Sequence, residues 1–574
     1  MCPKIRRRIG TFCAVPFFLV LIWAPKSWGA ADGGIPRLEK KGSATQLIVN
    51  GKPFVMLAGE LHNSSASSLD YMRGLPFGTS ASSFRRVSAA SFSFLSMWDK
   101  LTIMKINTVI ASLSWELVEP EEGKYDFSLI DGLIKEARQH DLKLVFIWFG
   151  AWKNCYSTYP PAWVKKDLDR FVRVRNTRGD VQAILSPLCE ATCAAESKAF
   201  AAVMRHVREA DGKHTVLMMQ VENEAGLLGE ARDHSPLAEA AFAKPVPAPL
   251  LSYLKEHRES LIPELQKIWE AAGFRESGTW AEVFGQGDGA DEVFMAWHIG
   301  GYIGRIAAAG KAAYPIPMYA NAWLVQSEGQ KPGRYPSGGP VSKMMDVWRA
   351  AAPAIDLLAP DIYLPDFKGV CASYTRSGNP LMIPEAGRGP DAPGRAFWAI
   401  AECNAICFAP FGIEGMDLDH PLARNYKLLA DLMPLITKHQ GTGRMVGLME
   451  TEKEEGRDVE LGDYRAHIRF RSGEKKDGQK GYGLIIALAP DEFLLAGNYF
   501  SVSFSPKPGL PPRCEILSVW EGRYDKDGKW QPGRCLNGDE TAANSRAQLP
   551  PNYGDKFANP DLPGILRVKV FSHR

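Results

Sequence analysis

Residues 215–226, TVLMMQVENEAG, carry six mostly apolar residues straight into Glu222-Asn223-Glu224 and then a small-residue turn. An apolar strand that ends in two carboxyl groups sets them at the edge of a buried core, where ionised acids are costly unless they have work to do. A second acid in the same setting is Glu385, which ends the apolar run of PLMIPEAG (380–387). Two carboxyl groups facing each other suit the cleavage of a glycosidic bond. In the retaining form of that reaction they stand about 5–5.5 Å apart, one as nucleophile and one as acid/base. Metal-assisted hydrolysis is the competing use of acids. It would bring His or clustered Asp ligands, and few of these stand nearby.

Other polar residues also sit where apolar runs stop. Glu60, His62 and Asn63 follow PFVMLAGE (53–60), and Trp115 and Glu116 follow NTVIASLS (107–114). Trp152 and Asn154 follow LKLVFIWFG (142–150). Asn321 and Trp323 end IPMYANAW (316–323), and Asp361 and Tyr363 end IDLLAPDIY (355–363). This set fits sugar chemistry. Carboxyl groups protonate and attack, amides and acids bind hydroxyls, and indoles stack on a pyranose face. The sites expected to bind substrate are Asn223, Glu60, His62, Asn63, Trp115, Trp152, Asn154, Asn321, Trp323 and Tyr363, with no metal and no cofactor. Plainer readings stand beside these. Glu385 is a candidate ion-pair partner for Arg388, Glu222 a structural acid, and Trp152 and Trp323 core. Asn63-Ser64-Ser65 matches a glycosylation sequon, but its place at a strand end predicts that it stays unmodified.

The elements that must position these residues alternate. Eight short runs, apolar on both faces, are separated by amphipathic patterns such as DFSLIDGLIKEARQHD (126–141) and AAESKAFAAVMRHVREA (194–210). Strands of this kind form a parallel sheet covered by helices. Eight units over residues 31–435 predict a (β/α)8 TIM barrel, with its active site at the C-terminal ends of the strands. Strands four and seven lie on opposite sides of such a barrel, so Glu224 and Glu385 face each other across its mouth. No Gly-rich phosphate loop follows the first strand. A Ser-rich stretch, 74–94, interrupts the first unit and is expected to be an irregular surface loop. Residues 225–292 form a long helical excursion. From about 436 to 574 short strands with turn signals predict an antiparallel β-sandwich.

Lys4, Arg6, Arg7 and Arg8 precede the apolar run 11–25 and small residues near 27–31, so residues 1–30 read as a secretory signal. The expected location is extracellular or periplasmic, with no stable membrane insertion after cleavage. Removing 1–30 takes away five positive charges and no acidic ones, which turns the net +3 into −2. There is then no electrostatic case for a nucleic-acid partner. The eight cysteines beyond that segment permit disulfides, with Cys189/Cys193 and Cys514/Cys535 as the local pairs.

Taken together, GELHNSSASS (59–68), NTVIASLSWELVEPEEGKYDFSLIDGLI (107–134), WFGAWKN (148–154), QVENEAG (220–226) and PEAGRG (384–389) resemble the secreted β-galactosidases of glycoside hydrolase family 35, in the branch with a dedicated C-terminal β-domain. The W-x-x-x-E-P-x-x-G-x-x-x-F pattern is shared with related barrel families, family 42 among them. The resemblance implies a retaining exo-β-galactosidase. Glu224 is then the acid/base, Glu385 the nucleophile, and Asn223 the partner of the sugar 2-hydroxyl. Many members carry a Glu after Ala at the end of strand three, where this chain has GAWKN. The alternatives are another β-glycosidase of the clan (family 42-like β-galactosidase, β-glucosidase or β-mannosidase) and a non-catalytic carbohydrate-binding protein.

Overall fold

The computed structural model describes residues 34–74, 95–471, 479–525, 528–551 and 563–574. The expected signal segment and residues 75–94 of the Ser-rich stretch lie outside these. Eight parallel strands close into a barrel in sequence order: β1 (Met56–Glu60), β2 (Thr108–Ser114), β3 (Lys143–Lys153), β4 (Val216–Asn223), β5 (Met318–Trp323), β6 (Leu357–Ile362), β7 (Met382–Ala386) and β8 (Cys407–Pro410). β8 pairs with β1 and β4 with β5, so no edge remains. Each of the eight apolar runs is a barrel strand, and the (β/α)8 expectation holds.

The strands are apolar on both faces because both are buried. Along β2, Ile110 joins the cluster inside the barrel, while Val109, Ala111 and Leu113 join the outer cluster under the helices. On β3, Val145, Ile147 and Phe149 point in, and Phe146 and Trp148 point out. The far end of the barrel is stoppered by an antiparallel sheet of Arg37–Lys41, Ala44–Val49 and Lys52–Phe54, whose Leu47 and Val49 join the inner cluster.

The helices that cover the barrel include α1 (Ser128–Gln139), α2 (Glu190–Ala210), α3 (Asp288–Ala313), α4 (Ala392–Ala401) and α5 (Pro421–His439). α1 buries Ile130, Leu133, Ile134 and Ala137 at helical spacing, with Asp131 in its first turn and Arg138 in its last, each of favourable sign for the helix dipole. Between β4 and α3 lie four short helices. No helix among the described residues is long and apolar enough to cross a membrane.

Beyond α5 stand β9 (Met445–Met449), β10 (Gly456–Leu461), β11 (Tyr464–Phe470), β12 (Tyr482–Ala489), β13 (Glu492–Asn498), β14 (Phe500–Pro506), β15 (Arg513–Tyr524), β16 (Trp530–Leu536), β17 (Ala547–Leu549) and β18 (Gly564–His573). They form a six-stranded sheet, β9-β12-β13-β18-β15-β16, and a four-stranded one, β10-β11-β14-β17. Ile485, Phe493, Leu495 and Val568 of the first sheet meet Ile468, Phe500 and Val502 of the second in one core. The other face of the larger sheet, with Leu484, Ile486, Leu494 and Ile565, belongs to the barrel's outer cluster. The second unit is thus fastened to the barrel through apolar surface on α4 and α5.

The two local disulfides do not form: all eight described cysteines are free. Cys189 caps α2 and its thiol donates to the Arg170 carbonyl, whereas Cys193 lies a turn along the helix near the Tyr302 carbonyl. Cys535 pairs in register with Trp520, while Cys514 pairs with Ser572, so the two cysteines are separated along β15.

Candidate active site

The register of the sheet aligns one polar layer at the barrel mouth. Trp323 of β5 is level with Asp361 of β6, and Asp361 with Glu385 of β7. Glu60, at the end of β1, is level with Ile110 of β2. The ends of β3 to β7 border a cavity of about 330 Å³ lined by Asn154, Glu224, Trp323, Asp361, Tyr363 and Glu385, among others.

The end of β4 does not follow strand alternation. Alternation would send the side chains of Glu222 and Glu224 to the same side. The backbone instead turns left-handed at both, with φ 64° at Glu222 and 47° at Glu224. Such φ values cost non-glycine residues about 1 kcal/mol or more each and are held by their surroundings. Glu222 turns away to accept the N–H groups of Ala151 and Trp152 at 2.8 and 2.7 Å. Glu224 turns into the cavity. Gly226 completes the turn because a Cβ there would lie 2.3 Å from Pro336.

Glu224 is held from three sides. Its Oε2 accepts Asn154 Nδ2–H at 2.6 Å, and its own N–H donates to Asn321 Oδ1 at 2.9 Å. Asn321 Nδ2 in turn donates to Asp361 Oδ2 at 2.6 Å, which holds the Asp361 carboxyl close to that of Glu224. Across the cavity, Tyr363 donates its hydroxyl to Glu385 Oε1 at 2.5 Å. Arg388 does not pair with Glu385; it donates to the Gly412 carbonyl.

Carboxylate oxygens of Glu224, Asp361 and Glu385 all lie within 4.8 Å of one another. Among the described residues this is the one group whose spacing suits a metal ion. The same spacing is that of the two acids of a retaining glycosidase. Electrostatics separates the acids into roles. Burial, and then the negative charge of Glu385, pushes the Glu224 carboxyl up to about 7. Burial also raises Glu385, but the Tyr363 hydrogen bond and the Lys153 ammonium favour its ionised form. Burial and then the Glu385 charge hold Asp361 and Glu60 well above the carboxylate range. Near neutral pH the charge therefore settles on Glu385 and a proton stays available at Glu224.

The other expected binding residues divide. Asn154, Trp323 and Tyr363 line the cavity, and Tyr363 is half exposed. Asn223, Asn321 and Glu60 are buried and do not line it, Asn321 reaching it through its bonds to Glu224 and Asp361. Both side-chain polar atoms of Asn223 lack a partner within the described structure, the state of an amide waiting for a ligand. Trp115 and Trp152 are not stacking platforms. Trp115 opens the short helix that follows β2, Trp152 stands in an irregular part of β3 between Trp148 and Lys153, and both are core. Trp115 donates its indole N–H to Glu119, and Trp152 donates to the Leu185 carbonyl. His62 stands at the rim, edge-on to Phe411 and 3.1 Å from Glu414, away from the cavity lining. Asn63 accepts the Ser112 hydroxyl through its main-chain oxygen, and its side chain also lies off the lining. Two groups escape a reading of the sequence. Asp361 ends β6 visibly, and only the register shows that it stands between the two glutamates. Lys153 gives no signal beyond its place between Trp152 and Asn154, yet it is the cation that acts on Glu60, Glu224 and Glu385.

Residues 96–284 match a family described as "Beta-galactosidase", glycoside hydrolase family 42. The resemblance in the sequence named family 35, which is a different family. Residues 422–548 match a "Domain of unknown function (DUF5597)". No curated protein matches the chain. Among solved structures, a cold-adapted β-galactosidase from Rahnella sp. R3 is 15% identical over 67% of this chain, with a TM-score of 0.43; the chain spans 57% of that enzyme's length. A β-galactosidase from the Antarctic haloarchaeon Halorubrum lacusprofundi is 17% identical over 58% of this chain and 56% of its own, with a TM-score of 0.40. A β-mannanase from the blue mussel Mytilus edulis is 12% identical over 69% of this chain and 96% of its own, with a TM-score of 0.39.

Proposed function

We propose that this glycoside hydrolase is a retaining exo-β-galactosidase of the family 42 type, exported from the cell, that removes terminal β-D-galactosyl residues from oligo- or polysaccharides. The match of residues 96–284 to a β-galactosidase family supports the substrate class. The observation that carries the mechanism is the pair Glu224 and Glu385, less than 5 Å apart across one cavity, one holding a proton and the other a charge.

In the first step Glu385 attacks the anomeric carbon, and the bond to the leaving oxygen breaks as Glu224 hands that oxygen its proton. The product is a galactosyl ester of Glu385. Glu224, now a carboxylate, takes a proton from water, whose oxygen attacks the same carbon and frees Glu385. Two inversions give net retention. Loss of the negative charge on Glu385 during the first step lowers the affinity of Glu224 for its proton, so the acid is suited to become the base. Asn223, with its unpartnered amide beside Glu224, suits the sugar 2-hydroxyl. Trp323 and Tyr363 offer the aromatic and hydroxyl surface for the ring.

A panel of aryl β-glycosides tests the reading. Release from the β-galactoside well above that from the β-glucoside and β-mannoside is expected. Release only from one of the others would reassign the substrate, and no release from any would return the chain to a carbohydrate-binding role.

A further inference from the structure

Two buried acids take no part in either displacement. Glu222 is 1% exposed and Glu196, on α2, is fully buried, and the two carboxyls lie close to each other beneath residues 148–152, whose groups both of them accept. Glu222 accepts two backbone N–H groups, from Ala151 and Trp152. Glu196 accepts the Trp148 indole N–H at 2.9 Å and the Tyr302 hydroxyl, from α3, at 2.6 Å. Two ionised carboxylates have no donor to offer each other. At so buried a site their repulsion would also be severe. Two carboxyls buried this close together, with no cation between them, therefore share one proton and one negative charge.

The place of the pair explains what it does. β3 and β4 are in register at Trp148 and Val221, and again at Lys153 and Asn223. β3 thus spends five residues where β4 spends two. A bulge of that size leaves N–H groups without ladder partners. Those of Ala151 and Trp152 find the Glu222 carboxyl instead. Immediately after the bulge comes Asn154, at φ 49°, and immediately after Glu222 and Asn223 comes Glu224, at φ 47°. Asn154 and Glu224 then bond each other at 2.6 Å. Both left-handed strand ends are anchored to one carboxyl group, which is itself anchored to α2.

We propose that Glu196 and Glu222 form a proton-sharing brace that positions Glu224 and Asn154 in the active site. They are positioning residues, and the inference rests on reading Glu224 as the acid/base. The titratable groups that face the brace are Tyr302 from α3 and Cys193 from α2, with Arg305 and Glu190 next beyond them. Arg305 is engaged by Glu190 at 2.6 Å, so no cation is paired with the brace itself. Removing its proton leaves two buried anions and opens it.

The test uses the full chain with Glu222→Gln, Glu196→Ala and Glu196→Gln. Glu222→Gln puts an amide donor against a backbone donor. It is expected to lower kcat/KM at least tenfold on aryl β-galactosides with poor leaving groups and less than threefold on strongly activated ones, because kcat/KM reports the first displacement, where a displaced Glu224 matters only if the leaving oxygen needs a proton. Glu196→Ala should repeat that pattern, and Glu196→Gln, which keeps a donor and an acceptor, should recover most of the loss. Infrared titration supplies a readout free of turnover: protonated-carboxyl absorption above pH 7, of which the band due to the brace, beside those of Glu60 and Asp361, is lost in Glu196→Gln. Equal losses across all leaving groups, no recovery in Glu196→Gln, or an unchanged band in Glu196→Gln would each overturn the brace. If the wild type cleaved no glycoside at all, the proposed function would fall while the infrared band still reported on the shared proton. Should Glu222→Gln fail to fold, the two Glu196 variants carry the same comparison.

Discussion

Replacing Glu385 by Gln should change the titration of Glu224, and the structure sets the size of the change. Glu224 holds its proton to about 7 against an ordinary 4.5, which amounts to about 3 kcal/mol in favour of the protonated form. Burial is the larger cause and the Glu385 charge the second. Two unit charges at the observed separation, oxygens within 4.8 Å, interact by about 1 kcal/mol in water and about 3.5 kcal/mol at an effective dielectric of about 20. Because burial takes the larger share, the Glu385 part falls near the lower end, about 1–1.5 kcal/mol. Glu385→Gln should thus bring Glu224 down by about one pH unit. Turnover is lost in that variant, so the assay is direct: carbon-13 NMR of labelled glutamate carboxyls, with the Glu224 signal assigned by its absence in Glu224→Gln. A Glu224 titration that stayed at about 7 in Glu385→Gln would refute the like-charge effect and leave burial alone to account for the raised acid.

Asp361→Asn keeps an acceptor for Asn321 but removes the acid beside Glu224, so kcat/KM should fall by about tenfold or more while the melting temperature holds within a few degrees. Trp323→Ala removes an aromatic surface of the cavity and should raise KM by about tenfold, the equivalent of about 1.4 kcal/mol of binding; an unchanged KM would mean that the ring does not touch substrate. Trp152→Phe leaves the Leu185 carbonyl without its buried donor; it should cost about 1–2 kcal/mol in urea unfolding and leave KM near the wild-type value. Folded Glu224 keeps a proton that the unfolded chain releases near 4.5, so its contribution to stability is fully present below that pH and is lost as pH rises through about 7. The melting temperature of the wild type should therefore fall over that interval by more than that of Glu224→Gln.

The barrel was legible because its signal is repeated eight times. Each strand is buried on both faces and reads as a short apolar run, so a misjudged boundary at one did not alter the count. Glu224 and Glu385 were legible for a related reason, since an acid directly after such a run has few other places to be. The finer site was hidden by backbone and register. Left-handed turns at Glu222, Glu224, Asn154 and Cys155 involve no glycine, so nothing in the residue types marks where alternation stops. Counting parity through them puts Glu222 in the cavity, whereas the structure sends it to α2. Trp115 and Trp152 show a related error. Trp115 already belongs to the helix after β2 and Trp152 to a bulge of β3, so a position at the end of an apolar run does not aim either ring at the cavity. Asp361 required the level of β6 relative to β7, a property of pairing between strands that no single segment carries.

The central claim, that Glu385 is the nucleophile of a retaining β-galactosidase with Glu224 as its acid/base, is tested most directly by trapping the glycosyl-enzyme. A 2-deoxy-2-fluoro-β-galactosyl fluoride slows the second displacement more than the activated first one. The account predicts that the intact mass rises by one fluorogalactosyl group and that peptide mapping finds it as an ester on Glu385. A label on another residue, or turnover of β-galactosides with no covalent adduct and inversion at the anomeric carbon, would contradict it.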